Sequence, residues 1–521
     1  MLAVTIVAHE PGYYTSLANT VHRWLDAESV ASCVVKPDGM AAALANERLA
    51  FLIGFENPKA DEIVALRTFR AKGGKLVVFN SSSKELGALM GVEPVGFATA
   101  STPGIWSRMD FTAPAPSGTP ARIRQTSGVL HRARPVAGRG RVLATWADRT
   151  GKSTDEPAWI ATDAGFWMTH VLLTDGDEDL KAQFVAAIVG SVSPGLWNFA
   201  AHQARVEKQR KAWRELALRQ VPRKGEVHAV WDHSGCGLYP GDWPRTMRAL
   251  KEAHVTDLFV NIAGAGFAHY ASGVLPRSKT FEQEGDQLAK CLAAAKGTGV
   301  RVHAWILCFS ATRSSSSQLA LFGQRGWRLK SAAGKLTDYL DPSNPTVRAY
   351  VLAAIAEIQS KYAVSGIHLD FVRWGESAVK PENAAEAVTQ FVADVRKCVK
   401  RPRWLTAAVY GRHPKCVGTV GQDWEKWLDL NLVDLVVPMN YTNDRADFEE
   451  IVAHQARKSA YARRIIGGIG VSANESHLDA AGVIDQINVS RRYGFVGNAL
   501  FDLDIMLVKD ILPYLKTQIW K

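Results

Sequence analysis

Residues 365–374 read Ser-Gly-Ile-His-Leu-Asp-Phe-Val-Arg-Trp, an apolar run carrying one carboxylate, Asp370. Ile367, Leu369 and Phe371 alternate with His368, Asp370 and Val372, the period of a strand whose two faces meet different surroundings. Pro345 to Tyr362 ahead of it and Glu382 to Lys400 behind it carry helical periodicity. The strand therefore sits between helices, as in a parallel α/β unit. An Asp at the C-terminal end of such a strand is where α/β barrels place their chemistry. The competing structural reading is an Asp that caps the next loop or pairs with Arg373.

The alternation continues in both directions. Strands are expected at Glu226 to His233, Val255 to Ile262, Val300 to Leu307, Gly366 to Val372, Leu405 to Tyr410, Val433 to Tyr441, Ile465 to Val471 and Asn498 to Asp504. Helix-period segments fall between them, among them Trp243 to Ala253, Phe281 to Gly297, Trp424 to Leu430, Phe448 to Ala462 and Leu478 to Tyr493. Eight such units over residues 225–521 have the rhythm of a (β/α)8 TIM barrel. A doubly wound sheet is the alternative, but no Gly-rich phosphate loop follows the first strand, so nucleotide binding lacks support.

Residues 1–200 read as a separate α/β domain. Strands at Leu2 to Val7, Ser32 to Lys36, Leu49 to Phe55 and Lys75 to Asn80, with helices over Tyr13 to Asp26 and Asp61 to Ala71, predict a small flavodoxin-like parallel sheet covered on both faces. After Ala98 the chain is richer in Pro, Gly and β-formers, and β-additions are expected at Ile105 to Phe111, Arg141 to Trp146 and Ala158 to Leu173. Residues 201–224 hold the densest positive charge, including Lys208, Arg210, Lys211 and Arg214, and read as a solvated linker helix.

The apolar fraction of 47% and charged fraction of 22% are ordinary for a globular protein, and no run approaches the length of a membrane span. A formal charge of +11 favours an anionic partner, but no nucleic-acid module accompanies it, so nucleic acid is not expected. Six cysteines, at 33, 236, 291, 308, 398 and 416, are too scattered for a disulfide framework, and no pair has zinc-ligand spacing. No cofactor and no metal are expected. The first residues look like a strand rather than a signal peptide. The expected location is periplasmic or secreted if a signal was removed, and otherwise cytoplasmic.

Two resemblances follow. Residues 1 to about 100 resemble the class I glutamine amidotransferase-like fold, in the degenerate versions that accompany carbohydrate-active enzymes. The turn corresponding to that family's Cys is Phe79-Asn80-Ser81-Ser82-Ser83, without Cys or Gly. Without a thiolate the amidotransferase reaction is not expected, and the domain's role is structural or accessory. Gly225 to about Leu515 resembles the glycosyl hydrolase-like 10 family of bacterial TIM-barrel proteins. The residues that carry this are Val230-Trp231, Ala268-His269-Tyr270-Ala271-Ser272, Leu275-Pro276, Val302-His303-Ala304-Trp305 and Tyr339-Leu340-Asp341-Pro342. Asn344-Pro345, Gly366 to Asp370, Trp424, Trp427, Val433-Asp434, Pro438-Met439-Asn440-Tyr441 and Phe501-Asp502 complete the series. The resemblance implies a glycosidase acting on a bacterial cell-wall glycan or another polysaccharide.

Glycoside cleavage needs a proton donor and a second carboxylate, roughly 5–5.5 Å apart for retention and about 6.5–9.5 Å for inversion. Asp370 is the first expected catalytic residue, and its partner is Asp232 or Asp502 at the first and eighth strand ends; Asp444, Asp504 and Glu376 are further strand-end carboxylates. The family usually has a second acid directly after the fourth-strand Asp, where this chain has Phe371. A mechanism using a substrate N-acetyl group as nucleophile is also open, because Met439-Asn440-Tyr441 faintly resembles the sixth-strand Met-x-Tyr of chitinase-type barrels. The fourth strand lacks that family's Asp-x-x-Asp-x-Asp-x-Glu series. Expected substrate contacts are His233, Asn261, His303, Trp305, Arg373, Trp374, Tyr410, Asn440, Tyr441 and Phe501, stacking aromatics paired with hydrogen-bonding groups. The partner expected is an oligo- or polysaccharide. A non-catalytic carbohydrate-binding barrel and a metal-dependent deacetylase or amidohydrolase are the competing readings, the latter lacking a His-x-His after the first strand.

Overall fold

Eight parallel strands in the second half of the chain close on themselves. They are β1 (Val227–Asp232), β2 (Asp257–Gly264), β3 (Arg301–Leu307), β4 (Gly366–Asp370), β5 (Trp404–Tyr410), β6 (Leu435–Met439), β7 (Ile466–Gly470) and β8 (Gly497–Phe501). Each pairs with the next, and β8 pairs back onto β1, with Val227 opposite Gly497 and Val230 opposite Leu500. This is a TIM barrel. The computed structural model describes residues 4–9, 12–101, 104–112, 114–148, 151–174 and 177–521. The chain divides into two compact units, Met1–Gln209 and Arg210–Lys521.

The period of two seen in residues 365–374 sorts the side chains of β4. Ile367 and Leu369 point outward into the strand–helix core with Ile355, Ile358, Phe391 and Val395. His368 points into the barrel, stacked on Phe259 at 4.1 Å between ring centroids. The Trp231 indole donates to His368 Nε2 at 2.9 Å. Indole is only a donor, so His368 Nδ1 carries the proton and donates to Thr406 Oγ1 at 2.8 Å. Burial depresses the His368 pKa well below its usual value, keeping this interior histidine neutral.

The alternation ends one residue earlier than the sequence pattern predicts. Phe371 stands at φ 46°, a left-handed conformation that reverses the phase of the chain. Phe371 therefore packs with the barrel interior, while Val372 joins the outer core.

The interior accommodates Trp231, Phe259 and Trp305 because glycines stand where strands crowd. A Cβ on Gly468 would lie 3.0 Å from the Trp231 ring and 2.4 Å from the Pro438 carbonyl oxygen. A Cβ on Gly497 would lie 2.1 Å from the Val227 oxygen, at the seam where β8 meets β1.

The outer helices include α1 (Trp243–Glu252), α2 (Gln287–Ala295), α3 (Pro345–Lys361), α4 (Ala384–Cys398), α5 (Trp424–Asp429), α6 (Arg445–Gln455) and α7 (Ala480–Arg492). The single helix expected over 281–297 is two, because Gly285 at φ 74° ends the first and the Asp286 side chain caps α2 through Ala289 N. The helix expected over 448–462 also divides, into α6 and Ser459–Ala462.

In the first unit, Ser32–Val35, Val4–Ala8, Leu49–Ile53, Lys75–Phe79 and Gly165–Met168 lie in that order as parallel strands. Antiparallel strands Ser153–Thr162, Gly140–Ala147, Trp106–Phe111 and Arg122–Ser127 extend the same sheet. The sheet is thus mixed and nine-stranded, larger than the small parallel sheet expected from the first 100 residues. Residues 2 and 3 of the first expected strand lie outside the described residues. Separate apolar clusters cover the two faces, one with Trp24, Phe184 and Ile188, the other with Ile63, Leu66 and Met90. The basic segment is helical only as far as Leu218, in the helix Phe199–Leu218, and residues 219–224 follow outside it. Among the described residues no helix is long and apolar enough to cross a membrane.

Candidate active site

Asp370 is the last residue of β4 and is 5% exposed. A carboxylate so buried needs compensation, and it has two hydrogen-bond donors and one neighbouring cation. Trp305 Nε1 donates to Oδ2 at 3.1 Å, the Phe371 amide donates to Oδ1 at 2.6 Å, and Arg373 Nη1 lies 3.7 Å from Oδ1. The left-handed turn at Phe371 follows directly on the strand end and supplies the amide. Burial pushes the Asp370 pKa upward, opposed by Arg373, the Phe371 amide and the Trp305 indole.

Beside it, β5, β6 and the loops after them enclose a cavity of about 760 Å³, with Arg373, Glu376, Tyr410, Met439, Tyr441 and Glu475 among its lining residues. Asp370 reaches this space through two neighbours, Arg373 and Tyr441. The Arg373 guanidinium stacks on the rings of Phe371 and Tyr410, 4.0 and 4.8 Å from their centroids. Glu376 accepts from Arg373 Nη2 at 3.3 Å and from the Tyr410 hydroxyl. Burial raises the Tyr441 hydroxyl pKa well above its usual value, and the negative charges of Asp370, Glu475 and Asp502 add to the shift. Asp370 at the end of β4, Glu475 in the loop after β7 and Asp502 after β8 thus all bear electrostatically on one phenol.

Asp502 follows β8. Its Oδ1 accepts from Ser472 Oγ at 3.2 Å. Desolvation first, and then the neighbouring charge of Asp504, push its pKa up to about 7. Phe501 stacks on Tyr441 at 5.5 Å and lies 5.8 Å from the His233 ring, which is itself 5.8 Å from Trp305. Burial, with the positive Arg313 nearby, lowers the His233 pKa. The structure thus gathers His233, Trp305, Asp370, Arg373, Tyr410, Tyr441, Phe501 and Asp502 around the C-terminal ends of the strands.

Other residues expected at the site are held in the packing. Asp232 is fully buried, and its two oxygens accept from Ser234 Oγ at 2.6 Å, Gly235 N at 3.2 Å and Gly237 N at 2.8 Å. It ties down the loop after β1, and its carboxylate is occupied there. His303 Nε2 donates to the Asp257 carboxylate at 2.7 Å, at the opposite end of the barrel from Asp370. Asn440 pairs amide to amide with Gln455, at 3.1 and 2.8 Å. Asn261 is fully buried and donates to the His233 carbonyl. Trp374 packs with Leu329, Ala378 and Ala384 and donates to the Val379 carbonyl at 2.9 Å. Asp444 and Asp504 accept from backbone amides three residues on, at Asp447 and Leu507.

Glu475 was not singled out from the sequence. It lies in the loop after β7, and scanning that strand end for a carboxylate, as was done for β1, β4 and β8, would have found it. A second group, His413, Glu425 and His454, has donor atoms within 4.8 Å of one another and could hold a metal. Its residues are too widely spaced in sequence to form a recognisable ligand motif.

A sequence profile of the Glycosyl hydrolase-like 10 family matches residues 243–391, the segment that contains β2 through β4 and Asp370. No curated protein matches the chain. Among solved structures, the PgaB (BpsB) glycoside hydrolase domain from Bordetella bronchiseptica is similar at 13% identity and a TM-score of 0.46, over 57% of this chain and 99% of that one. Catalytic domain 2 of the Ostrinia furnacalis Group II chitinase is similar at 12% identity and a TM-score of 0.41, over 57% and 96%. Alpha-L-fucosidase isoenzyme 2 from Paenibacillus thiaminolyticus is similar at 12% identity and a TM-score of 0.40, over 57% and 49%.

Proposed function

We propose that the barrel is a glycoside hydrolase acting on a polysaccharide through Asp370 and Asp502. The observation that carries this reading is the placement of Asp370 at the end of β4 and of Asp502 just after β8, on the same C-terminal rim of the barrel as the cavity lined by Tyr410 and Tyr441. The family profile over residues 243–391 supports the reaction class.

The two acids have different surroundings, as acid/base pairs require. Asp502, with its pKa near 7, holds a proton at neutral pH and donates it to the departing glycosidic oxygen. Asp370, with two donors on its oxygens and the Arg373 charge beside it, attacks the anomeric carbon or draws a proton from water. Arg373 and Trp305 hold it in place for either step. Tyr441, Tyr410 and Phe501 offer ring faces for sugars. Lys380, Arg412 and Lys415 line the same cavity, which favours a glycan carrying anionic groups. The first unit is accessory in this reading. It is amidotransferase-like without a nucleophile, its turn after Lys75–Phe79 presenting Asn80 at φ 51° and three serines but no thiol.

Asp370→Asn tests the proposal on a panel of neutral and acidic polysaccharides. Hydrolysis by the wild type and a loss of roughly 10²–10⁴-fold in the variant, with glycan binding and fold retained, is the expected result. Wild-type protein that binds a glycan without cleaving any member of the panel would replace the hydrolase with a carbohydrate-binding barrel.

A further inference from the structure

At the edge of the cavity, three potential ligands meet from three segments. His413 lies in the loop after β5, Glu425 in the first turn of α5, and His454 in the last turn of α6. One donor atom from each lies within 4.8 Å of the other two.

The arrangement around His413 is that of a supported metal ligand. Asp423 Oδ1 stands 3.2 Å from His413 Nε2, the carboxylate–histidine pairing that fixes the ring of a ligating histidine and leaves its other nitrogen free. That other nitrogen, Nδ1, lies 3.1 Å from Glu425 Oε1. The two atoms are buried, and neither makes a hydrogen bond of acceptable geometry with the other or with anything else. With the Nε2 proton turned to Asp423, lone pairs face each other across this gap, and either a second proton on His413 or a metal cation fills it. The spacing suits zinc: bonds of about 2.0–2.2 Å at a tetrahedral angle put neighbouring ligand atoms roughly 3.3 Å apart.

Glu425 is 6% exposed, and Arg457 holds its second oxygen, Oε2, leaving Oε1 to face the gap. Arg457 also lies 3.0 Å from His454 Nε2 through Nη1. His454 and Arg457 are both exposed.

We propose that His413, Glu425 and His454 form a zinc-class divalent cation site, with Asp423 orienting His413 and water filling the fourth position. The site joins the loop after β5 to two helices. That loop supplies Gly411, Arg412, Cys416 and Val420 to the cavity wall, so the bound ion braces one side of the candidate active site. It lies apart from Asp370 and Asp502, and the inference stands whether or not the barrel hydrolyses glycans.

Titration of the metal-free full-length protein with zinc chloride, followed by calorimetry and by the melting temperature, provides the test. The expected result is one zinc per chain, a melting temperature that rises with zinc, and affinity weakened by about tenfold or more in His454→Ala. His454 is exposed, so this variant keeps the fold, and its far-ultraviolet circular dichroism checks that. The Arg457→Gln variant, freed of the competing cation, binds zinc at least as tightly as the wild type. Absence of saturable one-to-one binding would assign the gap to a proton on His413 and overturn the site. Equal affinity in wild type and His454→Ala would also overturn it.

Discussion

Asp502 differs from the other acids at the barrel mouth in having both burial and a like charge against it. Its native pKa near 7 lies well above the ordinary 3.8. Between those values the native chain keeps a proton that the unfolded chain has released, so stability falls as pH rises through this window. Asp502→Asn removes that loss. Its midpoint of urea unfolding should be flatter between pH 4 and 7, and above pH 7 the variant should exceed the wild type by on the order of 1–2 kcal/mol. If Asp502 is the proton donor proposed above, kcat/KM of the wild type should decline above about pH 7 as the donor is lost, and that limb should be absent from residual activity in the variant. Asp370 was legible in the sequence because it ends an alternating run. The state of Asp502 was not, because its shift comes first from burial and then from the charge of Asp504, against the opposing Ser472 hydrogen bond, all of them set by the fold.

The strands were the most legible elements. All eight fall within three residues of their expected ends, since apolar residues on both faces leave little choice of register or type. What pattern alone did not show is where the strands crowd. Gly497 carries no apolar signal, yet it lies where β8 closes onto β1. Gly497→Ala would press a methyl group against the Val227 backbone, which cannot move without opening the seam. The expected cost is about 2–3 kcal/mol, more than a Gly→Ala change usually brings, measured as a lower urea midpoint with unchanged slope. The helices were less legible at their breaks. Gly285 and Asp286 divide one segment by backbone conformation and capping, which apolar periodicity does not register.

Each compact unit has its own core: Trp146, Trp159 and Trp167 are buried in the first, and Trp231, Trp424 and Trp427 in the second. Scanning calorimetry of the full chain should therefore resolve two transitions. Asp232 offers a way to assign them. Asp232→Ala strips the acceptor from Ser234, Gly235 and Gly237, a loss of about 2–4 kcal/mol for buried donors, and should lower one transition only. Its effect on hydrolysis should be far smaller than that of Asp370→Asn, because the Asp232 carboxylate accepts its hydrogen bonds from its own loop. A single shifted transition with intact hydrolysis would confirm that division of roles.

Local chemistry determined the fold of this chain. Strand and helix periods depend on neighbours a few residues apart, and eight repeats of one unit leave a closed barrel as the natural arrangement. Asp370 was legible for the same reason, as the polar end of an apolar strand. Its surroundings were decided only in three dimensions. Asp232, Asn440, Trp374 and His303 carry the same side-chain chemistry as the residues around Asp370, and their own hydrogen bonds and packing hold them in the fold. Glu475, Tyr441 and Asp502 come together because the strands converge in space, bringing residues far apart in the chain within reach of one charge. The run that opens at Ser365 thus specified a strand and its acid, while the ring of strands around it chose the acid's partners.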